Sequence, residues 1–399
     1  MRESITIVGA SLAGLRGAEA LRRDGFTGRI SLIGDEPHAP YDRPPLSKKV
    51  LAGGWEADRA ALSPAERLAE ADLDLRLGKR ATKLEVSSQT LWVDGQPEAY
   101  DGLMIATGAR CRTLPGTEGL AGVHTLRSLD DCLAIRTALE ANPRRMVVVG
   151  AGFIGAEVAA TVVGRGVPVT LIESLAAPLE RVLGSMVGDV VAEVHRSNGV
   201  DLRCGVVVAA VHGQDQVEAV ELTDGTVIET DLLVVGIGVL PNTEWLEGSG
   251  LTVDNGVVCD ETCLAAPGVT AAGDVARWLN PRYGELMRVE HWDNAVEQGT
   301  YAARRLLVEN PEPFAPVPWF WSDQFDRKIQ LAGRPSPDDE VQVVNGSTEE
   351  HRFAAFYGSQ GKLRAVFGMN RPRQVMQGKN LLADGASWSE ALAVAAAWE

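Results

Sequence analysis

Ile5-Thr6-Ile7-Val8-Gly9-Ala10-Ser11-Leu12-Ala13-Gly14 and Met146-Val147-Val148-Val149-Gly150-Ala151-Gly152-Phe153-Ile154-Gly155 read as two copies of one turn. In each, a short apolar strand ends on glycines that permit a tight turn and a close backbone approach to a pyrophosphate. The charge of that group then sits at the positive end of the next helix. Helix-like stretches follow at residues 15–23 and 156–164, then strands at 29–33 and 167–172. The first of these strands runs into Gly34-Asp35-Glu36 and the second ends at Glu173. An acidic residue about 20 positions past the glycines is placed to hydrogen-bond a ribose hydroxyl. One such unit predicts one dinucleotide. Two predict two dinucleotides held face to face, as a flavin meets a nicotinamide.

The first copy departs from the pattern at Ser11, where the second glycine is usual. A small hydroxyl still fits beside a phosphate but narrows the approach. Each unit closes on a further apolar strand ending in glycine: 103–106 into Thr107-Gly108, and 232–235 into Gly236-Ile237-Gly238. A third such strand, 269–272, runs into Gly273-Asp274. Strands are also expected at 78–86 and 90–93. The order predicts an α/β chain with two Rossmann-like nucleotide-binding domains: residues 1–112 with 246–315, and 113–245. Beyond Pro311, Pro313, Pro316 and Pro318, which read as a linker, a segment alternates like strands and holds Trp319, Phe320, Trp321 and Phe325. It closes on an amphipathic stretch at 388–398. Residues 316–399 are therefore expected to form a third, small α+β domain.

The chain has 399 residues, 45% of them hydrophobic and 23% charged, which suits ample buried core. No apolar run is long enough to span a bilayer, and a strand starting at residue 5 leaves no room for a signal peptide. The five cysteines, Cys111, Cys132, Cys204, Cys259 and Cys263, are odd in number and scattered. They fit a reducing cytoplasm and structural thiols rather than disulfides or a metal site. A net charge of −16 argues against nucleic acid as a partner. The charge is uneven, however. Residues 351–383 contain no Asp or Glu but hold Arg352, Lys362, Arg364, Arg371, Arg373 and Lys379.

Tyr41-Asp42-Arg43-Pro44-Pro45-Leu46-Ser47-Lys48, Ala106-Thr107-Gly108, Gly273-Asp274-Val275-Ala276, Glu290-His291-Trp292 and Pro318-Trp319-Phe320-Trp321-Ser322-Asp323-Gln324 follow one another along the chain. Together they resemble the FAD-dependent ferredoxin reductases of bacterial oxygenase systems, which have the glutathione-reductase type of fold. The resemblance implies FAD bound at Gly9, Ser11, Leu12, Ala13 and Gly14, with Glu36 or Asp35 on the adenosine ribose. Arg43 and Arg127 would serve the adenine and pyrophosphate region, and Asp274 the ribityl chain. Ala81, Ala106, Thr107, Gly108, Gly273, Glu290 and His291 complete that site, with Trp292 and Trp321 beside the isoalloxazine. Lys48 would stand near flavin N5, where a cation stabilises negative charge on the reduced ring. NADH would lie at Gly150, Gly152, Phe153, Ile154, Gly155 and Gly238, with Glu157 approaching the nicotinamide.

Disulfide reductases of this fold carry a reactive cysteine pair after the first unit, and residues 41–51 here contain no cysteine. The expected chemistry is therefore hydride transfer from NADH to FAD, then single electrons to an acidic iron–sulfur ferredoxin docking on the basic C-terminal stretch. Glu173 favours NADH over NADPH, because a carboxylate accepts from a 2′-hydroxyl and repels a 2′-phosphate. The rival readings are a rubredoxin reductase, a monodehydroascorbate-type reductase and a redox-sensitive binding protein like the apoptosis-inducing-factor relatives.

Overall fold

The computed structural model describes residues 2–398, which gather into two compact units. The first comprises Met1–Asp42, Ala60–Arg110 and Leu240–Pro318. The second comprises Arg43–Arg59, Cys111–Val239 and Trp319–Glu399.

In the first unit a six-stranded sheet runs in the order Leu264–Ala266, Val269–Ala271, Gly102–Ile105, Ser4–Val8, Arg29–Ile33, Asp74–Arg76. All neighbours are parallel except the first pair. Ile5, Ile7, Ile30, Leu32, Leu103, Met104 and Ile105 are fully buried, as expected where a parallel sheet is covered on both faces. The helix Leu12–Arg23 packs against the helix Trp292–Arg305 through small residues. Gly299 lies so close to Ala13 that a Cβ there would collide with the Ala13 backbone.

The second unit repeats this architecture in a five-stranded, all-parallel sheet. Its order is Asp201–Cys204, Val169–Glu173, Met146–Val149, Leu232–Val235, Val123–Thr125. The C-terminal segment adds an antiparallel sheet ordered Trp319–Gln324, Arg327–Gly333, Lys362–Met369, Arg352–Ser359, Glu340–Ser347. Phe320, Ile329, Leu331, Phe353, Tyr357 and Phe367 from this sheet share one core with Leu183, Val187, Val191 and Val194 of the helix Glu180–Ser197. The Tyr357 hydroxyl donates to the Leu183 carbonyl at 2.8 Å.

The α/β class with two nucleotide-type sheets and a small α+β C-terminal part is thus present. Element ends differ from expectation in instructive ways. Both nucleotide-site helices begin earlier than expected, at Leu12 and Phe153, because Ser11 and Gly152 are themselves the N-cap residues. The strand Ala81–Glu85 starts late because Gly78 turns at a φ of +64°. The helix Pro372–Asp384, opened by proline and closed by left-handed Gly385, was not anticipated. The last helix, Trp388–Ala395, starts where expected with a Ser387–Glu390 capping box but stops early. Among the described residues, no helix is long and apolar enough to cross a membrane.

Candidate functional site

The two glycine turns superimpose bond for bond. In the first unit the Gly9 amide donates to Ile33 O at 2.7 Å, and Ala106 N to Val8 O at 2.7 Å. In the second, Gly150 N donates to Ile172 O at 2.8 Å, and Gly236 N to Val149 O at 2.7 Å. Gly9 and Gly150 take φ values of +121° and +99°, and a Cβ on either would strike the carbonyl of the neighbouring strand end. Gly14 and Gly155 face the Gly9 and Gly150 carbonyls in the same way. Gly9 and Gly150 need glycine for both conformation and space, Gly14 and Gly155 for space alone. No side chain caps either helix: Ser11 makes no capping bond and Gly152 has none to offer. The leading amides of both helices are therefore left without a side-chain partner, the setting that suits an anion, and a Cβ at Gly152 would meet nothing within 4 Å. The residues present fit two dinucleotide pyrophosphates.

Around the first turn, Thr107 and Asn242 exchange two bonds. Thr107 Oγ1 donates to Asn242 O, and Asn242 Nδ2 to Thr107 O, both at 2.9 Å. They fix the left-handed Gly108 turn, at a φ of +63°. Ala81 is buried at the start of its strand. Asp35 is exposed, whereas half-buried Glu36 accepts from the Tyr41 hydroxyl. Asp274 sits in the short turn Gly273–Val275, pinned by Gly273 N donating to buried Gln298 at 2.9 Å and by Arg288 donating to the Asp274 carbonyl at 3.1 Å. Arg288 also pairs with Glu290 at 2.7 Å. Trp292 donates to Asp42 at 2.7 Å. Burial pulls the His291 imidazole down to about 4, against an opposing pull from Asp274.

In the second unit, Glu173 closes back on its own turn. One carboxylate oxygen accepts from Ala151 N at 2.9 Å, the other from Leu175 N at 2.9 Å and Ser174 Oγ at 3.1 Å. Arg43, Lys48, Arg127 and Trp321, expected at the flavin, all belong to this unit. Arg43 donates to the Arg127 carbonyl at 2.6 Å, and the Arg127 amide to Asp131 at 2.9 Å. Trp321 is half-buried and stacks on Trp319 with ring centroids 5.5 Å apart. Phe153 packs edge-on against Phe320, while Ile154 is largely exposed. Gly238 turns at a φ of +96° and its carbonyl accepts from Arg112 N at 2.9 Å.

Lys48 and Glu157 form the most heavily bonded pair of the set. Lys48 lies on a single wide turn, Leu46–Val50, that follows Pro44 and Pro45. Three bonds anchor this turn: Cys132 Sγ to Leu46 O at 3.1 Å, Thr161 Oγ1 to Ser47 O at 2.8 Å, and Arg165 to Leu51 O at 2.9 Å. Glu157, on the helix Phe153–Gly164, is only 2% exposed. Its Oε2 accepts from Lys48 Nζ at 2.6 Å and Ser47 Oγ at 2.5 Å, and its Oε1 from Ser322 Oγ at 2.7 Å. A buried carboxylate is tolerable only when paired and fully hydrogen-bonded in this way. Ser47, Ser322, Asn242 and Gln298 were not singled out from the sequence. Ser47 and Ser322 lie inside motifs quoted for their neighbours, whereas Asn242 and Gln298 carry no local signal.

The comparisons with known proteins agree along the length of the chain. Residues 3–299 match the pyridine nucleotide-disulphide oxidoreductase family model, and residues 319–398 the reductase C-terminal model. Rhodocoxin reductase of Rhodococcus erythropolis is 38% identical over 95% of this chain and 89% of its own length. The ferredoxin–NAD(+) reductase component of the biphenyl dioxygenase system of Paraburkholderia xenovorans is 40% identical, covering 88% and 85%. Putidaredoxin reductase, solved as a covalent complex with putidaredoxin, superimposes with a TM-score of 0.91 at 35% identity, covering 100% and 99%. The chain belongs to the pyridine nucleotide-disulphide oxidoreductase family and carries a reductase C-terminal domain.

Proposed function

We propose that this protein is an NADH:ferredoxin oxidoreductase that binds FAD and NADH and passes electrons singly to a small iron–sulfur ferredoxin serving an oxygenase. The observation that carries this reading is the 41–51 segment. It presents Lys48 against Glu157 and contains no cysteine, so no protein disulfide takes the electrons. Flavin supplies the chemistry, since it accepts two electrons and releases them one at a time.

The chain's own residues bind and align. The uncapped amides at 11–14 hold the FAD pyrophosphate, and Glu36 takes the adenosine ribose. Arg43 and Arg127, tied to one another through the Arg127 carbonyl, offer two cations to the same cofactor. The second turn holds NADH, with Glu173 on its ribose. Lys48, steadied by Glu157, supplies positive charge where the reduced ring gains electrons. Trp292 and Trp321 border the ring. The domain division that goes with this reading is 1–112 with 246–315 for FAD, 113–245 for NADH and 316–399 for the acceptor side. Cysteines that form no disulfide among the described residues support placing the protein in the cytoplasm.

The test is stopped-flow reduction by NADH followed by turnover with purified ferredoxins, rubredoxin and quinones. The expected protein is yellow, with one non-covalent FAD per chain, and turns over fastest with a ferredoxin. Faster turnover with a quinone or rubredoxin would remove the ferredoxin assignment.

A further inference from the structure

Glu157 is held from two sides, and only one of them is the segment that carries Lys48. Its Oε1 accepts from Ser322 Oγ at 2.7 Å and from Asp323 N at 3.3 Å, both on the strand Trp319–Gln324. Side chains alternate along a strand, so Phe320, Ser322 and Gln324 share the buried face and Trp319, Trp321 and Asp323 the other. Ser322 and Gln324 are fully buried on a face otherwise packed by Phe320 and its aliphatic neighbours. Buried polar groups in such a setting need partners. Here the partners form a line. Gln324 Nε2 donates to Ser322 Oγ at 3.1 Å, and Gln324 Oε1 faces His195 Nε2 at 2.9 Å.

His195 is fully buried on the helix Glu180–Ser197, and burial lowers its pKa, so the ring is neutral near pH 7. The glutamine oxygen can only accept, so His195 carries its proton on Nε2. Every hydrogen in the line then points one way: His195 to Gln324, Gln324 to Ser322, Ser322 to the Glu157 carboxylate. Aligned donors polarise one another and strengthen the bond at the anionic end. Two oxygens and four donors fix the rotation of the carboxylate and turn Oε2 toward Lys48.

We propose that Ser322, backed by Gln324 and His195, is a positioning residue for hydride transfer that holds Glu157 against Lys48. The proposal rests on reading Lys48 and Glu157 as the pair that acts at the flavin and nicotinamide. The C-terminal domain then contributes to the NADH half-reaction as well as to the acceptor side.

The experiment is single-turnover reduction of the holoenzyme by NADH in wild type, Ser322→Ala, Glu157→Gln and the double variant. Ser322→Ala is expected to slow reduction about tenfold in the wild-type background, the scale on which loosened alignment acts. In the Glu157→Gln background the same change should matter less than about twofold, because the group it orients has lost its charge. Ser322→Thr, which keeps the hydroxyl, should recover most of the rate. A readout free of bound flavin is the urea midpoint of the four apoproteins, expected to be non-additive. If Ser322→Ala does not fold, Gln324→Leu should give a smaller slowing that also vanishes beside Glu157→Gln. Equal factors in both backgrounds, or no recovery with threonine, overturn the positioning role alone. A wild-type rate for Glu157→Gln overturns the parent reading of the pair, and the positioning role with it.

Discussion

At the residue scale, Glu173 shows how one side chain can serve both structure and specificity. Its three bonds, to Ala151 N, Leu175 N and Ser174 Oγ, set the carboxylate beside the glycine turn. On the proposed reading it would accept from a ribose hydroxyl there and repel a phosphate. Glu173→Ala should narrow the preference for NADH over NADPH by about 1–2 kcal/mol in kcat/KM, and Ser174→Arg added to it should narrow it further. Steady-state kinetics with both nucleotides checks this; equal use of NADPH by the wild type would contradict it. His291 makes a prediction about pH. Burial lowers its pKa from 6.5 to about 4, so between those values the unfolded chain binds the proton and the folded one does not. Its contribution to stability is complete above pH 6.5 and is lost as pH falls toward 4. Between pH 7 and pH 5 the loss is about 2 kcal/mol. His291→Gln should shrink the difference between urea midpoints at those two pH values. Buried His195 acts in the same direction and should leave a remainder.

At the scale of elements, small residues decide how closely the helix Leu12–Arg23 can approach its neighbour. A Cβ at Gly299 would run into the Ala13 backbone, which cannot move without disturbing Gly14 and the turn it closes. Gly299→Ala should therefore destabilise the protein by about 1–3 kcal/mol and loosen FAD, read as faster flavin release in a dilution assay. Gly164, at the exposed end of the helix Phe153–Gly164, has open space where a Cβ would go. Gly164→Ala should be neutral or slightly stabilising, and a matched loss there would show that the Gly299 effect is not steric. This contrast also explains what the sequence could reveal. The buried parallel strands were legible because runs such as Val147-Val148-Val149 and Leu232-Leu233-Val234 have few other uses, and the glycine turns because only glycine fits them. The helix Pro372–Asp384 is harder to read because Gln374 and Gly378 take two of its buried positions while Met376 is exposed. The line from His195 to Glu157 was illegible for a different reason. It joins residues far apart in sequence, and no local pattern marks a serine whose partner lies on another element.

At the scale of the whole molecule the question is how a chain of net charge −16 would receive the acidic ferredoxin proposed for it. The acid-free stretch 351–383 does not fold into one face. Arg352 opens one strand and Lys362 opens its antiparallel neighbour, so the two lie at opposite ends of the hairpin. Arg371 belongs with Arg352, since a Cβ on Gly346, which pairs with Phe353, would meet the Arg371 guanidinium. Arg373 is exposed on the first turn of the helix Pro372–Asp384, one turn before exposed Met376. Lys379, further along that helix, lies over the Trp319 ring at 5.8 Å. The positive face is therefore narrower than the sequence suggests, with Arg352, Arg371 and Arg373 at its end and Lys379 beside the stacked tryptophans. Charges at the rim of an interface act mainly on the rate of encounter. Reversing Arg371 and Arg373 to Glu should slow ferredoxin reduction about tenfold or more at low salt. Flavin reduction by NADH should be unchanged, because neither arginine belongs to the second glycine turn or to the line from His195 to Glu157. Added salt should slow the wild type and affect the double variant less. Reversing Lys362 and Arg364 instead, at the far end of the sheet, should have a much smaller effect. If the two pairs of reversals slowed ferredoxin turnover equally, the effect would belong to net charge and not to a docking face.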